Sequence, residues 1–403
     1  MRAQFLNLRH LRAFLAVHAH GSITSAMDHV HMSQPAITHA IAKLEATIGA
    51  VLFQRGPSGM SPSAAGVSFA RRTDRALNLL RTGCQAASRG ETSRDSPFDQ
   101  TITSTQLRAL LAVAAAGSFS VAARNLGIAQ PSLYRVARDL EKISGLRLFE
   151  LTRTGIALTP PAHTLSRASK LAFAELNQGL EEASFNAGSI SATVVVGSLP
   201  LARSYLLPTA ISKLTERQPD VAIKVVDGPF SDLLHALRDG EIDLMVGALR
   251  DPLPAEDVVQ ELLFQDSLGI YCGPDHPLAD CNEVPLSELS AYPWIVPKVG
   301  TPTRAFFDQF MQKNALVPPS GLIESSSMIL IRGVLNTSHR LTIISHRQVR
   351  EDALRGSLVA LPFTFQDAGR GIGLTHRKAW SPTLTQALFL RSIRETAQAM
   401  QTH

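Results

Sequence analysis

The sequence predicts a multidomain protein: two small all-α modules in the first half, then an α/β half built as two lobes. Three observations predict it. Residues 11–55 recur at 107–151 with 17 identities in 45 positions, so one module is present twice. Beyond residue 190, short apolar strands alternate with amphipathic helices, the pattern of a parallel α/β sheet. The chain has 403 residues, 45% hydrophobic and 18% charged. At roughly 100–200 residues per domain this length holds two to four domains, and the composition excludes disorder as the main state.

Charge separates the halves. Residues 1–190 hold 20 Lys/Arg against 12 Asp/Glu, while residues 191–403 hold 19 against 22. A basic first half suggests a polyanion-binding part, although basic faces are also plain solvated surface. No apolar run reaches the ~18 residues of a membrane helix, and MRAQFLNLRHLRAF lacks the apolar middle of a signal peptide. A soluble, cytoplasmic protein without a membrane partner is expected. Cys84, Cys272 and Cys281 are too scattered for a disulfide framework, and no His/Cys spacing suits zinc, so no metal or cofactor is expected. The cysteines read as reduced structural thiols; a redox switch through Cys272 and Cys281 is the alternative.

Each module reads the same way. In the first, Leu11, Phe14, Leu15 and Val17 share most of one helical face, and Gly21 ends that helix. Ser22 suits the cap of a second helix, 23–30. A turn through His31 and Met32 leads to Ser33-Gln34-Pro35, where Ser33 suits an N-cap and Pro a first helical turn. A third helix runs to about Ile48 with Ala36, Ile37, Ile41 and Leu44 inward. Two short helices joined by a tight turn make a helix-turn-helix, whose second member fits a DNA major groove; the same pattern also suits a plain helical bundle. Residues 51–55 and 59–62 read as a β-hairpin wing, which with the basic charge favours DNA. After residue 151 the repeat register is expected to slip by two, matching Ser61-Pro62 with Thr159-Pro160.

The paired segments LRAFLAV and LRALLAV, GSITSAM and GSFSVAA, SQPAI and AQPSL, the closing Leu-Glu, GAVLF and GLRLF, and the final Ser-Pro and Thr-Pro resemble the winged helix-turn-helix of LysR-type transcriptional regulators. Members of that family normally carry one such domain, so the tandem copy is a departure. The resemblance implies DNA contacts from Ser33, Gln34, Pro35, Thr38, His39, Lys43 and the wing residue Arg55 in copy one. In copy two it implies Gln130, Pro131, Ser132, Tyr134, Arg135, Arg138 and Arg153. Arginine grips guanine O6/N7 in a bidentate way or neutralises phosphate. Copy one has His39 where the family has arginine; copy two has Ala129 where the family has serine, losing an N-cap hydroxyl. Copy two is therefore expected to supply most of the base reading; the opposite assignment, with the N-terminal copy leading as in the family, stays open.

A long helix follows each module, 63–88 and 162–187, with residues 89–102 as an exposed linker. In the family the helix after the wing pairs two subunits. The second helix has the cleaner apolar stripe and is expected to be the dimer helix; a helical hairpin within one chain is the alternative.

In the second half, strands are expected at 192–197, 221–228, 242–249 and 268–273, with helices at 203–217 and from Phe230 to Gly240. A second set follows: strands 294–297, 322–325 and 341–345, helices 303–313 and 326–336, strands 357–362 and 372–376, and a closing helix 381–399. Ligands in open α/β sheets bind beyond the carboxyl ends of strands, near helix N-termini. That rule points to Ser198, Leu199 and Pro200, to Gly228, Phe230 and Ser231, and to Gly247, Thr301, Thr303 and Ser345. Ser198, Ser231, Thr301 and Thr303 suit ligand hydrogen bonds and, equally, helix caps. EIDLMVGALRDP and GPDHPL resemble the periplasmic-binding-protein-like effector domain of the same family, in the branch containing the galactose-binding-protein regulator.

The expected boundaries are 1–62 and 103–160 for the winged modules, 63–102 for helix and linker, and 161–189 for the dimer helix. Effector lobe I takes 190–267 and 355–403, and lobe II takes 268–354. The resemblance implies a regulator of promoters that binds double-stranded DNA and a small inducer, a sugar or an organic acid. It further implies a homodimer or homotetramer that engages RNA polymerase. The alternative is a DNA-binding or architectural protein with a ligand-blind second half. An enzyme is not expected: there is no nucleophile elbow, Walker loop, GxGxxG or HExxH.

Overall fold

The structure is a computed structural model that describes residues 3–56, 59–89, 98–186, 192–317, 321–365 and 369–401. Most of the expected linker 89–102, and the junction at 187–191, lie outside the described residues, as does the side chain of Arg55. The chain divides into two compact units that meet in sequence at Ala192 and Thr193. Among the described residues no single helix is long and apolar enough to cross a membrane, and no cluster of His, Cys, Asp and Glu suits a metal.

The first unit begins with a 3-10 turn, Ala3–Phe5, followed by helices α1 (Leu8–His20), α2 (Ile23–Val30) and α3 (Gln34–Ile48). Strands β1 (Phe53–Gly56) and β2 (Gly59–Pro62) pair antiparallel, and α4 (Ala64–Ala87) follows. The order then recurs: a 3-10 turn Phe98–Gln100, α5 (Ser104–Ala116), α6 (Phe119–Leu126), α7 (Gln130–Ser144), antiparallel β3 (Phe149–Thr152) and β4 (Gly155–Leu158), and α8 (Pro160–Asn186). Gly21 and Gly117 end α1 and α5 in the left-handed region, at φ 64° and 60°. Each glycine carbonyl then accepts from the returning strand, Met60 N at 2.9 Å and Ile156 N at 2.8 Å.

Those equivalences correct the expected slip of two residues. Ser63 Oγ donates to the Val51 carbonyl and accepts from Gly66 N, as Thr159 Oγ1 does with Arg147 and Ala162. Ser63, not Ser61, is the counterpart of Thr159, and the 96-residue offset runs unbroken to the long helices. The Ser-Pro and Thr-Pro dipeptides resemble each other without being equivalent.

The assignment of α8 to a subunit interface is also corrected. Its apolar stripe, including Leu165, Ala172 and Leu176, is buried within the chain, in one core with Phe69, Ala76 and Leu80 of α4. Gly83 lies against Ala168, and Gly179 against Arg72, so the two helices run antiparallel. The expected stripe is real, but a stripe specifies burial and not which chain supplies the partner.

In the second unit, β5 (Thr193–Ser198), α9 (Leu206–Arg217), β6 (Ala222–Asp227), α10 (Phe230–Arg238), β7 (Leu244–Ala248) and β8 (Val258–Asp266) build most of the first lobe. The chain crosses to β9 (Leu268–Cys272), α11 (Leu286–Leu289), β10 (Trp294–Val296), α12 (Pro302–Lys313), β11 (Ile323–Glu324), α13 (Met328–Asn336), β12 (Leu341–Ser345), α14 (Arg350–Leu354) and β13 (Val359–Ala360). It returns to the first lobe with β14 (Arg370–Arg377) and α15 (Leu384–Gln401). The strand orders are β6-β5-β7-β14-β8 and β11-β10-β12-β9-β13. In the first sheet β5 and β7 are parallel while β14 runs antiparallel to both β7 and β8.

Two expectations change here. Strand β13 pairs with β9, so residues 355–360 belong to the second lobe and the return crossing lies beyond Ala360. Strand β8 was not expected; a register shift opposite Ile372 and Gly373 breaks its alternation, and the period-2 signal goes with it. Cys272 is fully buried, and burial pushes its thiol up to about 12, which opposes the redox-switch reading.

Candidate functional site

Helices α3 and α7 are positioned by equivalent devices. Glu45 at the end of α3 and Glu141 at the end of α7 each turn a carboxylate back onto the wing. Glu45 Oε1 accepts from Leu52 N at 2.7 Å and Phe53 N at 3.4 Å; Glu141 Oε1 accepts from Leu148 N at 2.8 Å and Phe149 N at 3.2 Å. The closing Leu-Glu and the Leu-Phe of the wing are therefore one structure. Helix and hairpin hold a fixed angle because a charged acceptor satisfies two strand N–H groups.

On α3, Ser33, Gln34, Pro35, His39 and Lys43 are exposed and Thr38 is half-buried, its hydroxyl donating to the Gln34 carbonyl at 3.0 Å. Ser33 is the N-cap residue but makes no side-chain cap bond, so Ala129 at the same place in α7 forfeits none. His39 lies edge-on to His10, ring centroids 6.4 Å apart. Burial, then the charges of Lys43, His39 and Arg9, hold His10 below its ordinary value.

On α7, Gln130, Pro131, Ser132, Tyr134, Arg135 and Arg138 are all exposed, and Arg153 is exposed on the hairpin turn. Tyr134 packs edge-on to Phe119 at 5.3 Å. Arg138 is held: its guanidinium lies 4.9 Å over the Tyr134 ring and pairs with Glu141, and those two partners, Tyr134 first, keep it above its ordinary value. Arg135 has no ion-pair partner among the described residues. The two arginines are thus unlike, one braced and one free.

In the second unit the strand-end residues divide by what their polar groups already do. Ser198 is buried at the end of β5 and Leu199 and Pro200 lead into a 3-10 turn. Gly247 is required by packing, since a Cβ there would lie 2.4 Å from Leu199 Cβ. Gly228 is exposed, and Ser231 donates to Asp232 at 3.0 Å. Thr301 caps α12, accepting from Arg304 N at 3.3 Å. Ser345 is a correction: fully buried, it donates to Asp266 at 2.7 Å and accepts from Arg347 N and Gln348 N, leaving nothing for a ligand.

Three residues that sequence reasoning missed organise this region. Asp266, at the end of β8, accepts from Arg370 Nε at 2.9 Å, and Arg370 also donates to buried Thr303 of the other lobe. Arg250, just past β7, lies 4.3 Å over the Phe230 ring. Its Nη1 is buried without a hydrogen-bond partner among the described residues. Burial, then the nearby charge of Arg370, depresses the Arg250 guanidinium. The signal was present: the strand-end rule reached Gly247 and stopped three residues short.

An exposed helix-turn-helix in the first unit and a two-lobed α/β second unit define a DNA-binding transcriptional regulator with an effector-binding domain. Residues 187–398 match the LysR substrate binding domain, and residues 8–67 and again 104–163 match the bacterial regulatory helix-turn-helix protein, lysR family. The chain belongs to the LysR family. These matched families are regulators, not enzymes. It is 29% identical to the HTH-type transcriptional regulator GalR of Pseudomonas putida over 96% of this chain and 97% of that one. It is 32% identical to the uncharacterised HTH-type regulator YdcI of Escherichia coli over 70% of this chain and 92% of that one. The crystal structure of CbnR, a LysR family transcriptional regulator, shares the fold at TM-score 0.51 and 18% identity, over 72% of this chain and 98% of that one.

Proposed function

We propose that the chain reads duplex DNA through two winged helix-turn-helix domains, one around α3 and one around α7, and that an anionic inducer between the lobes of the second unit switches promoter output. The doubled reading is supported by the two helix-turn-helix matches and by the GalR alignment, which spans almost all of both chains, whereas the YdcI alignment has room for one module. The same alignment is the support for placing the chain in the branch containing the galactose-binding-protein regulator. The domains then run 1–62 and 103–158, with the lobe return beyond residue 360. The DNA contacts are Ser33, Gln34, Pro35, Thr38, His39, Lys43 and Arg55, and their copy-two counterparts with Arg135 foremost. The active form is a homo-oligomer that contacts RNA polymerase.

Arg250 carries the choice of ligand. A buried guanidinium nitrogen with no acceptor, beside a second arginine, is costly unless something negative satisfies it. A carboxylate does so in bidentate form, which favours an organic or sugar acid over a neutral sugar. Thermal melts of the full chain against both classes test this. At 100 times its Kd an acid stabilises by about 2.7 kcal/mol, and Arg250→Ala abolishes the shift. Stabilisation by neutral sugars alone overturns the anionic reading; no shift with any ligand favours a ligand-blind second half.

A further inference from the structure

Resting on the reading that both α3 and α7 face DNA, we infer that one chain is by itself a two-headed reader of DNA whose binding site is a pair of unlike half-sites. The first unit has an internal two-fold. A Cβ on Gly83 would lie 2.1 Å from Ala168 Cβ, and a Cβ on Gly179 would lie 2.8 Å from Arg72 Cβ. Adding the 96-residue offset to Gly83 gives Gly179, and adding it to Arg72 gives Ala168, so the two close approaches are images of each other.

The module ends exchange in the same way. Arg12 of α1 donates to the Asp99 carbonyl in the 3-10 turn ahead of copy two. Its counterpart Arg108 of α5 lies 4.2 Å over the ring of Phe5 in the turn ahead of copy one. A rotation leaves displacement along its axis unchanged, so a two-fold puts α3 and α7 on the same side of the α4–α8 pair. That is the arrangement that two half-sites on one face of a duplex require.

Charge explains why the pair forms between unlike helices. Arg72 is fully buried against Glu175 at 2.9 Å and Glu182 at 2.6 Å, flanked by Arg71 on Glu182 and Arg75 on Glu175. Burial disfavours the Arg72 charge, but the bonds to Glu182 and Glu175 outweigh it. By the same offset the places of Glu175 and Glu182 are held in α4 by Leu79 and Ala86, and those of Arg72 and Arg75 in α8 by Ala168 and Leu171. Pairing α4 with α4 would therefore bury Arg72 without a carboxylate, and α8 with α8 would leave the glutamates without a cation; a buried charge without its partner excludes the wrong pairing. Covalent linkage supplies the right one at high effective concentration.

The heads are not equivalent. Arg135, free on α7, suits a guanine, while the matching residue of α3 is His39, which lacks the bidentate fork. The site is therefore asymmetric, with guanine specified in one half.

Selection from a random duplex pool by the full chain, with stoichiometry from sedimentation, tests this. The expected result is two unlike half-sites at fixed spacing and one chain per pair. Arg135→Ala relaxes one half-site by roughly 5- to 150-fold, and His39→Ala acts only on the other. Arg72→Glu loses the fixed spacing, and reversing the whole network, with Arg71→Glu, Arg75→Glu, Glu175→Arg and Glu182→Arg added, recovers it. A palindrome bound by one chain per half-site, with both halves weakened by Arg135→Ala, overturns the inference and leaves the regulator reading intact. Failure to bind any duplex overturns the regulator reading itself.

Discussion

His31 holds the left-handed turn between α2 and α3 at φ 49°, where copy two has Gly127 at φ 67°. An L-residue there meets its own carbonyl, at a cost of about 1 kcal/mol, and glycine avoids this while losing more chain entropy on folding. His31→Gly is expected to stabilise the first unit by about 0.5 kcal/mol, the first effect partly offset by the second. Urea titration followed by helical circular dichroism measures it, and a loss of stability would mean that the imidazole makes a compensating contact. The turn itself was legible from the spacing of apolar residues. Its handedness was not, because histidine hides a conformation that glycine announces. Arg250 escaped for a related reason: one arginine in a loop carries no periodicity, and only the unsatisfied nitrogen singles it out.

At the level of elements, the order and nearly every helix could be read from periodicity and caps, because a buried face repeats along the chain. Strand β8 could not, since its bulge moves side chains from one face to the other midway. The wing could be read as a hairpin, but what fixes its angle lies seven and eight residues away, in Glu45 and Glu141. Removing an acceptor that serves two N–H groups strands both in a half-buried place. Hydrogen bonds to a charged group are worth about 1.5–3 kcal/mol each, so Glu141→Ala, which removes two, is expected to cost about 3–6 kcal/mol in copy two and to loosen Arg138, its ion-pair partner. Glu141→Gln, which keeps an acceptor, loses less. If the alanine variant melts like the parent in the same titration, the packing of Leu148 and Phe149 alone seats the wing.

Over the whole molecule, what the sequence left open was partnership: which helix an apolar stripe meets, and which polar groups hold two lobes in register. The second unit settles the latter through a short polar chain, Ser345 to Asp266 to Arg370 to Thr303, which links the ends of both sheets. The Asp266 side chain is fully buried and that of Arg370 nearly so. Breaking such a pair from one side costs about 3–5 kcal/mol, because the remaining charge stays buried and unpaired. Asp266→Asn is therefore expected to destabilise the second unit by that amount. Both tryptophans, Trp294 and Trp380, lie in this unit, so their fluorescence in urea follows it without the first. The same substitution frees Arg370 beside Arg250, which strengthens the local positive field. An acidic inducer that uses both arginines should then bind more tightly while the apo chain unfolds more easily. Destabilisation without tighter acid binding would confine Arg370 to holding the lobes and leave Arg250 alone to meet the ligand.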